Sequence, residues 1–390
     1  MLTTVFSAAA ILALQASASP IKQRWAYEKY FDLQGHRGGR GEAVESTLPA
    51  FAWGLLAGVT TLEMDVGLTK DGVPIVWHDE VIDKTKCKDS APAFANDTMY
   101  PYVGKNVANL TLAQIKTLDC GSLRIDGFPR AEVYPGTKLS TLDEMFDFVQ
   151  CATSDPVLFN IESKINPDVT NQTRSPADFV AAMGKVFVGR GADVVDRITH
   201  QSFDWRALVL SKAQYPTLRT AALCDDTTLY RNPTATTTGN LTVHGTGPSN
   251  WLAGIDIDSL QGATVGERVA RAAKSIKADI LSPVGSAAYA SVVQDVSLPG
   301  YIPFVNQSMV DTAHSLGMEV VPWTVDRKNN IEYLLALGVD GIISDYPSDV
   351  RILLERRGKY LAPKANEERV MGCLKKLVQV TKEGLPTRGY

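Results

Sequence analysis

The sequence predicts an α/β fold built on a parallel sheet. Two observations carry this. Between Leu33 and Tyr360, short apolar runs alternate with helical stretches, and about eight such units can be counted. Polar residues recur where the apolar runs end, as with His36, His78 and the Glu162–Lys164 pair. A chain of 390 residues is long enough for a full core and accommodates either one large α/β barrel or two domains.

The amino terminus precedes this pattern. Residues 2–19 read LTTVFSAAAILALQASAS, a short apolar core followed by the small-x-small triplet Ala16-Ser17-Ala18. The expectation is a signal peptide over residues 1–18, with secretion of the mature chain. The run is too short and too rich in small residues for a membrane span. Five N-x-Ser/Thr triplets agree with that route, at Asn96, Asn109, Asn171, Asn240 and Asn306. A net charge of −4 suggests neither nucleic acid nor an anionic membrane as a partner.

The informative stretch is Leu33 to Asp79. It contains His36-Arg37-Gly38, a helical LPAFAWGLLA at 48–57, the strand-like LEMDVGL and then PIVWHD. Glu63 and Asp65 are two apart, so on a strand both carboxylates point to one side. They would repel unless a cation lay between them, and hard oxygen ligands suit Ca²⁺ or Mg²⁺. His36 and His78 each close an apolar run, and are expected at strand C-terminal ends. Two imidazoles beside a carboxylate-bound cation can act as general base and general acid.

Residues 80–138 lack a sustained period and read as a surface excursion with one short helix at 111–118. Thr141 with Glu144 forms a capping box for the helix LDEMFDFVQ. VLFNIESKI follows as a buried strand with Glu162 and Lys164 on one side. Helical spacing recurs at 175–190, 204–216, 265–277, 309–317, 329–338 and 349–361. Strands are expected at 197–203, 218–224, 278–283, 318–326 and 339–347, with a long Thr/Gly/Asn/Pro loop at 225–250. His200 is expected to be structural, and Asp345 to fix a turn. Five cysteines include no C-x-x-C pair, so a zinc site is not expected. Cys87 is expected to pair with Cys120, while Cys151 and Cys224 are expected to be free and buried.

The stretch from His36 to Asp79 resembles the glycerophosphodiester phosphodiesterase family. The resemblance lies in His36-Arg37-Gly38, Glu45-Ser46-Thr47, Ala50-Phe51, Gly58, Glu63-Met64-Asp65, Thr69, Asp71-Gly72, Pro74 and His78-Asp79. Ser46 stands where that family usually has Asn. The later WTVD and GVDGIISD runs are similar as well.

The resemblance implies a (β/α)8 TIM barrel over residues 30–360, with an insertion at 80–138 after the second active-site histidine and a C-terminal extension at 361–390. It implies that His36 and His78 are catalytic. It makes Glu63, Asp65 and Glu162 the ligands of a divalent metal, Ca²⁺ in preference to Mg²⁺. Arg37 and Lys164 would hold the phosphate, and Trp323 would lie in the substrate mouth. The insertion would help to select the alcohol. The implied reaction is hydrolysis of a glycerophosphodiester such as glycerophosphocholine to sn-glycerol 3-phosphate and an alcohol. The implied partner is a small-molecule substrate, with no nucleic acid, no stable membrane insertion and a monomeric chain. Two rivals are a phospholipase D-like enzyme of the same barrel superfamily, acting on sphingomyelin or lysophospholipid, and a non-catalytic secreted barrel.

Overall fold

The computed structural model describes residues 30–231, 234–235, 243–286 and 293–377. The expected signal peptide, the Asn240 triplet, part of the 225–250 loop and the chain after 377 lie outside the described residues.

Eight parallel strands form the barrel: β1 (Asp32–Gly35), β2 (Thr61–Leu68), β3 (Leu158–Ser163), β4 (Ile198–Ser202), β5 (Arg219–Cys224), β6 (Ile280–Pro283), β7 (Glu319–Val320) and β8 (Gly341–Ser344). Each pairs in parallel with its sequence neighbour from β1 to β7, and β1 also pairs with β8. Backbone bonds from Asp340 N to Val320 O (2.9 Å) and from Ile343 N to Pro322 O (3.0 Å) join β7 to β8 and close the circle. The layer outside consists of α1 (Leu48–Ala57), α2 (Leu142–Ala152), α3 (Pro176–Gly189), α4 (Trp205–Gln214), α5 (Val265–Ser275), α6 (Gln307–Ser315), α7 (Lys328–Leu337) and α8 (Pro347–Arg356). This is the expected (β/α)8 arrangement, in which functional groups gather at the strand C-terminal ends.

Local chemistry explains the helix starts. Thr47, Thr141, Ser175, Thr264 and Asn306 each accept a backbone N–H of the first turn of the helix they precede. The Thr141–Glu144 capping box is formed as expected. The last two strands are shorter than the sequence suggests. After Val320 the chain leaves regular pairing, and Trp323 meets the sheet through a single bridge to Val284.

α1 sits directly on the His36–Gly38 turn. A Cβ on Gly54 would lie 2.5 Å from Gly38 O, and Gly38 itself has φ +90 with no space for a side chain against Ala50. Glycine at both positions allows helix and turn to touch. Arg37 within the turn has φ +51, the left-handed region that costs a non-glycine residue roughly 1–2 kcal/mol. Ser46 also has positive φ (+59), and its buried hydroxyl has no hydrogen-bond partner. An Asn tolerates that backbone better than Ser does.

The insertion is more than a loop. Ile75, Trp77, Ile82, Tyr102, Leu110, Ile115 and Leu118 form an apolar cluster of their own, and Cys87 is bonded to Cys120. The expected helix at 111–118 shrinks to one turn, Leu112–Ile115.

Cys151 corrects the cysteine reading. It forms a disulfide with Cys373, across a sequence separation of 222. Cys373 lies on α9 (Glu367–Leu377), whose Val370 and Leu374 are buried against the barrel's outer layer. Short-range spacing gave no hint of so distant a partner. Cys224 is free and buried as expected. No described helix is long and apolar enough to cross a membrane.

Candidate active site

The barrel interior at the strand C-terminal ends is polar. Asp65 on β2 is in register with Glu162 on β3, and Glu63 with Asn160. Cross-strand partners share a face, so alternate residues of two strands deliver three carboxylates inward. Oxygen atoms of Glu63, Asp65 and Glu162 all lie within 4.8 Å of one another, and all three residues are buried.

Burial and mutual repulsion govern their protonation. Burial, and then the Asp65 charge, push the Glu63 carboxyl well above its ordinary range. Burial pushes Glu162 up to about 8, against the pull of Lys164. For Asp65, burial is outweighed by His78, Arg37 and Lys164, which hold its carboxyl low. Three buried acids this close retain a proton unless a cation replaces it. The donor set consists of hard oxygens, which fits a divalent cation of the Ca²⁺ or Mg²⁺ kind. Asp65 Oδ2 is buried and makes no hydrogen bond, and the Arg37 guanidinium 3.2 Å away is its charge partner.

The carboxylates are held from behind. Glu63 Oε1 accepts from Gln201 Nε2 at 2.6 Å, and Oε2 accepts from the backbone N–H of Arg37 at 2.8 Å. The second bond uses the left-handed turn at Arg37 and offsets its strain. Asn160 Nδ2 donates to Gln201 Oε1 (3.0 Å) and Gln34 Oε1 (2.9 Å), extending the network across the barrel.

Both predicted histidines line the same pocket as the three acids, a cavity of about 240 Å³. His36 directly follows β1. Its Nδ1 lies 2.5 Å from Asp345 Oδ1, just past β8. His78 lies just past the C-terminal end of a strand, as expected, but that strand is not one of the barrel's eight. It follows Pro74–Val76, a short strand antiparallel to β2 that turns back to the same mouth. Its Nδ1 lies 2.7 Å from Asp79 Oδ1, and Lys164 Nζ is 3.1 Å from its Nε2. A carboxylate on Nδ1 makes that nitrogen the donor and leaves Nε2 as the basic atom. Burial pushes both imidazoles below their ordinary value, with Asp345 opposing at His36 and Lys164 reinforcing at His78.

Arg37 and Lys164 line the pocket too. Arg37 Nη1 donates to Glu45 Oε1 at 2.9 Å, and its Nε is 3.2 Å from Asp65 Oδ2. Lys164 Nζ is 2.9 Å from Glu162 Oε1. Burial alone would lower the Lys164 ammonium, but Glu162 and Asp65 outweigh it and raise its pKa, so the charge is kept. Trp323 lines the pocket, 5.1 Å edge-to-face from Phe203, and its indole N–H donates to Ser282 O. His200 is structural as expected: it bonds Ser211 on α4 and Ser163 on β3, on the barrel's outer side.

Sequence reasoning missed several members of the site. Asp345 was expected to fix a turn, and it holds His36 instead. The signal was present, because Asp345 closes the apolar run GIIS just as His36 closes its own. Gln201, Phe203 and Thr324 also line the pocket. Gln201 and Phe203 lie at the polar end of the expected 197–203 strand and Thr324 in the WTVD run, but nothing in those runs marks them as pocket groups.

The profile of the Glycerophosphoryl diester phosphodiesterase family matches residues 36–349. The chain belongs to that family. The match runs from the first pocket histidine to just beyond Asp345, so it takes in every strand after β1 and all the pocket groups named above. Among relatives, a protein of Caldanaerobacter subterraneus subsp. tengcongensis named glycerophosphodiester phosphodiesterase is 24% identical, over 83% of this chain and 97% of its own. A crystal structure of a Silicibacter pomeroyi protein classed with the glycerophosphoryl diester phosphodiesterases superposes with a TM-score of 0.63 at 26% identity, covering 86% of this chain and 96% of its own. An Oleispira antarctica phosphodiesterase, solved with the product sn-glycerol-3-phosphate, shares the fold at a TM-score of 0.56 and 18% identity, covering 85% and 99% of the two chains. As a member of this family, the chain is an enzyme of the phosphoric diester hydrolase class.

Proposed function

We propose that this enzyme hydrolyses glycerophosphodiesters such as glycerophosphocholine, releasing sn-glycerol 3-phosphate and an alcohol. One observation carries the reading. A single pocket unites three mutually close acids with two carboxylate-backed histidines and two cations. The product bound to the Oleispira antarctica relative supports the same substrate class.

Each residue then has a role. Glu63, Asp65 and Glu162 would hold a divalent cation, Ca²⁺ in preference to Mg²⁺. When bound, that ion polarises a phosphoryl oxygen and offsets the acids' repulsion. Arg37 and Lys164 balance the charge on the remaining phosphate oxygens. One imidazole takes a proton from the nucleophile at Nε2, and the other gives a proton to the departing alkoxide. Phe203 and Trp323 provide the apolar wall against which carbon atoms of the substrate lie. The insertion reaches the rim through Phe128, whose ring lies 4.3 Å from the Arg40 guanidinium, and there it helps to select the alcohol.

The chain acts outside the cell as a monomeric, glycosylated protein. The apolar leader in residues 2–19 supports secretion, as do two disulfides and the exposed asparagines of three triplets, Asn96, Asn109 and Asn171.

The test is release of glycerol 3-phosphate from glycerophosphocholine by purified protein with Ca²⁺, with Mg²⁺ and with chelator, beside His36→Ala. Release that requires both metal and His36 is expected. Sphingomyelin and lysophosphatidylcholine serve as comparison substrates. Cleavage of those alone would replace the reading with the phospholipase D-like one, and no cleavage of any diester by folded, metal-loaded protein would refute it.

A further inference from the structure

Lys86 belongs to the insertion and does not line the pocket, yet two groups that support the pocket converge on it. It stands in a tight turn in which Lys86 N and Cys87 N both donate to Asp83 O, at 3.1 and 2.9 Å. The next residue, Cys87, is bonded to Cys120, so the turn is fixed covalently. Lys86 itself is only 9% exposed.

Its ammonium lies 2.5 Å from Asp79 Oδ2 and 2.8 Å from Glu45 Oε1. Each carboxylate holds a different pocket residue. The other oxygen of Asp79 takes Nδ1 of His78. The same Glu45 oxygen accepts from Arg37 Nη1. Asp79 is adjacent to His78 in sequence, and its side chain is one-fifth exposed. A short carboxylate in that position has other staggered rotamers and water available to it. A buried ammonium on its second oxygen removes that freedom. Exposed ion pairs rarely fix a geometry, but Lys86 and Glu45 are both withdrawn from solvent, where an unpaired charge is costly.

We propose that Lys86 is a positioning residue for the reaction: it locks Asp79 against His78 and, through Glu45, ties the insertion to Arg37. The insertion thereby completes the catalytic arrangement as well as flanking the mouth. The inference rests on the reading of His78 as a proton-transfer group and deepens it. A bare structural staple between insertion and barrel is the competing account.

The test uses the full chain with Lys86→Met, Lys86→Arg and Asp79→Asn, each checked for folding by thermal melting. For glycerophosphocholine, Lys86→Met is expected to lower kcat by about 10–100-fold, the usual effect of losing a supporting partner, with KM changed by less than about threefold. Lys86→Arg is expected to restore most of kcat. Independently, histidine-labelled protein reports the His78 ring by NMR, since the chain has only five histidines and His78→Ala identifies the signal. That signal is expected to move in Lys86→Met and Asp79→Asn and to return in Lys86→Arg. Should Lys86→Met not fold, Lys86→Gln takes its place. An unmoved His78 signal with kcat unchanged, or with only the melting temperature lowered, overturns the proposal. Wild-type protein that cleaves no glycerophosphodiester would refute the functional reading alone, and the ring signal would still decide the role of Lys86.

Discussion

His36 Nδ1 lies 2.5 Å from Asp345 Oδ1, although the two residues are separated by 309 positions in sequence. The contact exists because β1 and β8 are neighbours where the barrel closes. Burial lowers the His36 pKa, and Asp345 counteracts it. Removing the carboxylate therefore lowers the pKa further and frees the ring to adopt the other tautomer. Asp345→Asn is expected to reduce kcat by about 10–100-fold, less than the roughly 10²–10⁴-fold that a positioned acid–base group itself supplies. One limb of the pH–rate profile is expected to move to lower pH. Movement of the acid limb assigns His36 as the base, and movement of the alkaline limb assigns it as the acid. A profile with both limbs in place contradicts the role given to Asp345.

The acid cluster predicts a metal requirement with a definite pH sign. Burial raises Glu162 to about 8 in the metal-free protein, so a proton occupies the cluster at neutral pH. The cation must displace that proton, and its affinity is expected to rise with pH across the neutral range, by about tenfold per unit for each proton displaced. Titration calorimetry between pH 6 and 8 measures this directly. Metal at 100 times its dissociation constant is expected to stabilise the fold by about 2.7 kcal/mol. Asp65→Asn is expected to lose that stabilisation and to lower activity by at least about 10³-fold, the combined effect of lost metal and lost charge complementarity. An Asp65→Asn variant still stabilised by Ca²⁺ would remove Asp65 from the ligand set.

Asp32, at the start of β1, gives a stability prediction independent of catalysis. Burial pushes its carboxyl up to about 6, although Thr61 and Gln34 donate to it. The folded state holds the proton more tightly than the unfolded chain. Its contribution is thus complete below about 3.8 and lost as pH rises through about 6. At about 1.4 kcal/mol per unit, the loss is at most roughly 3 kcal/mol. Asp32→Asn cannot titrate. The difference in unfolding free energy between variant and wild type is expected to shift in favour of the variant from pH 4 to 6, then level off. A difference constant over that window would show that Asp32 titrates alike in both states.

The fold and the centre of the site were legible because they depend on short-range pattern. Glu63 and Asp65 share a strand face by simple alternation, as do Glu162 and Lys164, and apolar runs mark every barrel strand. The supports were not legible. Asp345 meets His36, Gln201 meets Glu63, and Lys86 meets Glu45 only because the barrel closes and the insertion folds back. The same limit hid the partner of Cys151, while Cys87 and Cys120 were readable because they bracket one segment. His78 shows an intermediate case. Its apolar run does form a strand, but one antiparallel to β2, and run composition does not encode strand direction.

The Cys151–Cys373 disulfide joins α2 to α9 outside the barrel, far in sequence and on the side of the fold away from the polar interior. A cross-link over so long a segment restricts the unfolded chain strongly, and such bonds typically contribute about 2–4 kcal/mol. Cys373→Ser is expected to lower unfolding free energy by that amount in a denaturant titration. Val370 and Leu374 remain to hold α9 in place, so the helix is expected to stay docked. Neither cysteine touches the pocket, and kcat and KM are expected to equal those of the wild type. Reducing agent breaks both disulfides at once, so reduced wild type is expected to lose more stability than Cys373→Ser and also to lose activity, because Cys87 anchors the turn that carries Lys86. Equal activity in oxidised and reduced protein would separate the insertion's disulfide from catalysis. A fall in kcat in Cys373→Ser alone would instead show that α9 communicates with the site through α2.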